Sequence, residues 1–129
     1  MTNAARMAFL RFVGVGVVNT MVGLATVLAS SEWLGANAFV ANGAGLLAGF
    51  IIGYQLNRLW TFRSSHAVVM TAPRYLLAFA LSYSVNLAIL AFALRAGLHP
   101  LLAQGAALAV YSLAFFFLCR IIVFPAEEQ

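Results

Sequence analysis

The chain has 129 residues, of which 64% are hydrophobic and 8% charged. Soluble domains run nearer roughly 45–50% apolar and about 25% charged, so this composition excludes a water-soluble fold. Its seven basic residues are all Arg, spread along the ends of apolar runs rather than gathered on one face, which excludes a nucleic-acid partner.

Four apolar runs are each long enough to cross a bilayer, at the roughly 20 residues a spanning helix needs. They lie near 10–31, 38–62, 74–94 and 101–123. The first is too long for a removable signal segment and is expected to stay as a span. It carries Gly16, Asn19, Gly23, Thr26 and Ser30 at alternating spacings of three and four, a stripe of small or polar residues on one helix face. Gly35 then suits a helix end.

The second run repeats a small residue every fourth position: Ala41, Gly45, Gly49, Gly53, then Asn57. Such a face lets another helix, or a lipid chain, lie against the backbone, and a helix–helix contact is the simpler account. Gln55 adds an amide, and the run closes with L-N-R-L-W-T-F at 56–62. In the following loop, 63–73, Thr71 is expected to cap the third helix, with Pro73 in its first turn. The third run places Ser82 and Asn86 one turn apart, beside Tyr83. Gly97 ends it, Pro100 opens the fourth, and that last run closes with L-C-R-I-I-V-F at 118–124.

Arginines in short loops stay cytoplasmic. Arg6, Arg11, Arg58, Arg63, Arg74 and Arg120 fall on one side of the four spans and Arg95 alone on the other. Both termini and the 63–73 loop are therefore expected in the cytoplasm.

The two halves repeat. At an offset of 63, Arg11 matches Arg74, Val22 matches Val85, and Leu24-Ala25 matches Leu87-Ala88. At an offset of 62, A-N-G-A-G-L (41–46) matches A-Q-G-A-A-L (103–108), and Leu56, Arg58 and Phe62 match Leu118, Arg120 and Phe124. Each unit crosses twice, so the copies share one orientation, a parallel repeat about an axis along the membrane normal. The expected architecture is an all-α polytopic membrane protein: one domain over 1–129, built as two helical hairpins, about 10–62 and about 74–124.

R-F-x-x-x-G-x-x-N-T in the first span, followed by N-R-x-W-x-F closing the second and a weaker echo in the fourth, resembles the GtrA-like family. The resemblance covers nearly the whole chain, and N-R-x-W-x-F is its most specific part. It implies a small four-helix protein of the bacterial plasma membrane that serves cell-surface polysaccharide synthesis. The role it implies is movement of a polyprenyl-phosphate-linked sugar between leaflets. A related four-helix unit forms the membrane part of some dolichol-phosphate-mannose synthases. Where the second span has Asn57, the fourth has Cys119, so the second copy would bind less or only support.

For any single Arg at a span end, anchoring and topology are a sufficient account, with the stem apolar and the head among lipid headgroups. The functional reading is a phosphate clamp: Arg11, Arg58, Arg74 and Arg120 share one leaflet level, the guanidinium fork fits phosphate oxygens, and Asn57 adds amide hydrogen bonds. Asn19, Gln55, Ser82 and Asn86 read either as interhelical glue at about 0.6 kcal/mol each or as a polar seam for a sugar headgroup.

No Asp, Glu or His falls inside a span; Glu32, His66, His99, Glu127 and Glu128 are in loops or tails, and His66 reads as a solvated loop residue. A proton-coupled drug exporter needs a titratable group at depth, so that class is disfavoured. There is no metal cluster, nucleophile–base pair or phosphate loop, so neither an enzyme nor a cofactor is expected. The rival to transport is a scaffold that anchors or recruits a membrane glycosyltransferase. Four short helices enclose little space, so a homodimer or larger assembly is expected, with the Gly45–Gly53 face as a candidate contact.

Overall fold

The computed structural model describes residues 2–126, apart from the side chains of residues 38 and 39; Glu127 and Glu128 lie outside that range. The described elements are helical in chain order: α1 (Asn3–Glu32), α2 (Ala38–Leu56), α3 (Val68–Arg95) and α4 (Pro100–Leu118). α2 runs on into a π turn at Asn57–Thr61, and α4 into another at Cys119–Val123. α1, α3 and α4 with its turn are long and apolar enough to cross a membrane. α2 and its turn run from 38 to 61 with no charge before Arg58. That is about 36 Å of helix, against a hydrocarbon core of about 30 Å. The protein is an all-helical, multi-pass membrane protein.

The helices end where the sequence breaks. Gly35 and Gly97 take positive φ, 64° and 84°, a conformation that costs glycine little. At α3 the Gly97 amide donates to Leu94 O and the Leu98 amide to Ala93 O, which closes the helix as a Schellman motif. α2 and α4 begin alike: Asn37 Oδ1 accepts from the Val40 amide, and 62 residues on His99 Nδ1 accepts from the Leu101 amide. Pro100 occupies the first turn of α4.

The start of α3 differs from the expectation. The helix begins at Val68, after an Ala67 N-cap without a side-chain bond. Thr71 is inside it, its hydroxyl donating back to Ala67 O at 3.1 Å, the back-bonding that competes with capping. Pro73 therefore sits in the second turn and removes one internal bond. Its cost falls near the helix end, where Val69 is 83% exposed. α1 likewise starts before its apolar run, at Asn3, where Thr2 Oγ1 accepts from the Ala5 amide. Arg6, Arg11 and Arg74 are thus on helices rather than in loops; long basic side chains let a helix continue past the hydrocarbon edge.

The chain divides after Arg63 into two compact units. In the first, α1 packs antiparallel on α2, with Gly23 against Gly45, Asn19 against Gly49 and Gly53, and Phe12 against Phe62. In the second, α3 packs on α4 through rings: Tyr75 on Phe115 and Phe124, and Phe79 on Tyr111 and Phe115. Lipid offers no hydrophobic drive between helices, so close backbone approach and ring packing supply the contact energy. The buried faces repeat at an offset of 63: Phe12 and Tyr75, Val15 and Ala78, Ser30 and Ala93.

Candidate functional site

Each hairpin ends in the same irregularity. The Phe62 amide donates to Asn57 O at 2.9 Å, and the Phe124 amide to Cys119 O at 2.7 Å. Both bonds span five residues, and the turns they close hold Arg58 and Arg120. A π turn carries one residue more per turn than an α-helix, so it rotates the residues beyond it about the helix axis. In the second unit Cys119, Val123 and Phe124 are all buried, and Phe124 reaches Tyr75. In the first, Asn57 and Thr61 are buried and Phe62 meets Phe12. The duplicated sequence therefore folds into a duplicated device that sets one Arg at each hairpin end.

The two ends differ in how their arginines are held. Arg11 is half-buried. Its guanidinium carbon lies 5.9 Å from the centre of the Trp60 ring, and its Nη1 donates to Trp60 O at 3.5 Å. That Trp ring lies across α1 at Gly14, where a Cβ would sit 3.8 Å from its outer carbons. Gly14 is one turn after Arg11, so ring, glycine and guanidinium stack along one face. Arg58 is half-buried as well, with Nε shielded. In the second unit the equivalents of Arg11, Gly14 and Trp60 are Arg74, Leu77 and Ile122, and all three are exposed; Arg120 is exposed too. Among the described residues the second unit has no counterpart of the aromatic shelf.

The glycine face of α2 is occupied. A Cβ on Gly45 would come 2.6 Å from Val27 Cγ2 and 2.7 Å from Gly23 O. On Gly49 it would lie 3.1 Å from Asn19 Oδ1, and on Gly53 3.3 Å from the same amide. Gly45, Gly49 and Gly53 therefore receive α1 of their own hairpin. The expectation that this face joins two copies is corrected: the same absence of side chains is spent inside the hairpin.

Of the polar residues expected in a seam, Asn19, Ser82 and Asn86 turn inward and Gln55 is exposed, away from the α1–α2 contact. Asn19 and Ser82 hold the same repeat position, 63 residues apart. Asn19 Oδ1 and Ser82 Oγ are each buried without a hydrogen-bond partner among the described residues. Other helical hydroxyls bond to their own backbone, as Thr20 does to Gly16 O and Ser84 to Ala80 O. Gly16, expected on the stripe of α1, is exposed, and a Cβ added there would have nothing within 4 Å.

Two features escaped the sequence. His66 is half-buried rather than solvated, with Nε2 3.2 Å from Pro125 O. Nothing in its neighbourhood signals a partner 59 residues away. The Gly14–Trp60 contact did leave a signal: both residues are replaced by aliphatic ones in the second copy.

A family model described as GtrA/DPMS, transmembrane domain, matches residues 11–124, from the Arg of the shelf to the Phe that closes the second π turn. No curated protein and no solved structure matches the chain significantly.

Proposed function

The chain belongs to the GtrA/DPMS transmembrane-domain family, and from that premise we propose that it moves a polyprenyl-phosphate-linked sugar across a bacterial plasma membrane for cell-surface glycan synthesis. The observation that carries this reading is the pair of π turns, each presenting an Arg at the end of a spanning hairpin. A guanidinium at the membrane edge suits a lipid phosphate, by charge and by its fork of donors. The buried amide of Asn19 and hydroxyl of Ser82 offer hydrogen bonds at depth, where a sugar hydroxyl would otherwise lose its water.

In this reading the protein is not an enzyme, takes no cofactor, and works as a homo-oligomer whose contact lies elsewhere than the Gly45–Gly53 face. Both termini are cytoplasmic.

The test is reconstitution of the purified protein alone in liposomes carrying a lipid-linked sugar on one leaflet. Appearance of the sugar on the other leaflet is the expected result. The second reading, a membrane scaffold for a glycosyltransferase, draws on the family description itself, which joins GtrA with a DPMS transmembrane domain. No transfer by the protein alone, with sugar delivery restored by a co-reconstituted transferase, would favour it.

A further inference from the structure

We infer that Arg11, Gly14 and Trp60 form the phosphate-recognition point of the protein, with Trp60 as a positioning residue, so that lipid phosphate is gripped at the end of the first hairpin. The inference rests on the transport reading for the lipid's isoprenoid tail. The site itself is built from contacts within the first unit.

An exposed Arg on a membrane helix samples many rotamers, and fixing it costs binding energy. Arg11 is restrained in advance: the Trp60 ring lies 5.9 Å from its guanidinium carbon, and the Trp60 carbonyl takes a long hydrogen bond of 3.5 Å from Nη1. Arg carries five N–H donors, so four remain for an anion. Cation–π contact is strongest with Trp, and stacking leaves the guanidinium edges open. The ring rests on α1 at Gly14, where a Cβ would meet its outer carbons at 3.8 Å, an ordinary contact, so a methyl fits there and only a longer side chain would cover the surface the ring uses. Arg58 is on the same π turn as Trp60, two residues earlier, and brings a second cation to that turn.

The second hairpin is the internal control. It keeps the Arg, the π turn and the ring pair, yet has Leu77 for Gly14 and Ile122 for Trp60. A topology signal needs only the Arg. An interfacial aromatic belt accounts for a Trp at this membrane edge, but not for the guanidinium set over its ring; that contact holds the guanidinium in one orientation.

Trp60 is itself the reporter. The chain has two Trp, so Trp33→Phe leaves Trp60 alone. That variant, in lipid nanodiscs, is titrated with a polyprenyl monophosphate, an uncharged polyprenol and phosphatidylglycerol. A saturable change in emission with the polyprenyl phosphate alone is expected. Arg11→Gln should abolish it, and Arg11→Lys should weaken it about tenfold, the loss of one charge-assisted contact; Arg6→Gln should leave it unchanged. An equal response to polyprenol overturns phosphate recognition, and an equal response to phosphatidylglycerol overturns selectivity for the isoprenoid lipid. An undiminished response in Arg11→Gln overturns the site.

The positioning role has a separate readout. Retention of polyprenyl phosphate, followed by native mass spectrometry, should survive Trp60→Phe and fail in Trp60→Ile, which copies the second hairpin. Wild-type retention by Trp60→Ile sinks the role of Trp60. Binding without liposome transfer supports the site and sinks the transport reading; transfer unaffected by Arg11→Gln and Trp60→Ile does the reverse.

Discussion

Phe124 packs on Tyr75 with ring centroids 6.3 Å apart, and 62 to 63 residues earlier Phe62 packs on Phe12 at 6.4 Å. The same tie thus closes both hairpins. In each case the π turn delivers the closing Phe, because the five-residue bond at its base rotates that Phe inward. Aromatic pairs contribute about 0.5–1.5 kcal/mol beyond area burial. A double-mutant cycle of Tyr75→Ala and Phe124→Ala, read by unfolding in detergent, should therefore return a coupling of about 1 kcal/mol. Strict additivity would mean the rings are neighbours without mutual stabilisation.

The glycines of α2 should divide by what each one touches. A Cβ on Gly45 meets the Gly23 backbone oxygen at 2.7 Å, and a backbone cannot swing aside. Gly45→Ala should cost about 1–3 kcal/mol, the range for overpacking. Gly49→Ala meets only Asn19, with the side-chain oxygen nearest at 3.1 Å, and should cost less. Gly43→Ala, with nothing within 4 Å, should be neutral or stabilise by up to about 1 kcal/mol through helix propensity. Unfolding of the three variants in one detergent ranks them; a stable Gly45→Ala would show that α1 and α2 separate readily.

Much of the fold is legible in the sequence. Four spans, the repeat and the glycine face emerge from periodicity, because lipid forces the backbone into helices and helix contacts into small residues. The start of α3 is not legible, because Thr71 and Pro73 read equally well as a cap and as interior residues. Nor is the use of the Gly45–Gly53 face, since a small-residue face states that something approaches closely but not what. The Arg set is legible as a set. Its division into a half-buried first pair, Arg11 and Arg58, and an exposed second pair, Arg74 and Arg120, is not, because it depends on contacts between helices such as that of Arg11 with Trp60.

Ser82 offers a clean separation of stability from function. Its Oγ is buried without a partner among the described residues, so the hydroxyl carries a desolvation cost with no bond to offset it. Ser82→Ala should be neutral or stabilise by up to about 1–2 kcal/mol. If the hydroxyl serves a passing headgroup, the same variant should slow sugar transfer at unchanged protein level. A large loss of stability would instead reveal a structural bond to that oxygen.

Orientation is open to direct labelling. With the buried Cys119 replaced by Ala, cysteines at Leu34 and Ser65 report the two sides of the membrane; both positions are exposed. In intact cells a membrane-impermeant reagent should reach Leu34→Cys and miss Ser65→Cys until the membrane is opened. The inverse pattern would put every arginine discussed above, Arg95 excepted, on the outer face.

Arg58 is the sharpest point for mutation, because charge and geometry can be varied apart. It sits in the first π turn, half-buried, directly after Asn57, whereas its counterpart Arg120 is exposed and comes directly after Cys119. Arg58→Lys keeps the positive charge but loses the planar fork. Arg58→Gln loses both, while Arg6, Arg11, Arg63, Arg74 and Arg120 still mark the same side. Both variants should therefore insert normally. Outer-leaflet sugar delivery, compared at matched membrane levels, should fall in Lys and fall further in Gln, by about tenfold or more for a lost charge-assisted contact. Arg120→Gln should cost less, since a thiol gives none of the amide hydrogen bonds available from Asn57. Wild-type delivery by Arg58→Gln would reduce the repeated Arg to a topology marker and leave both π turns to be explained by packing alone.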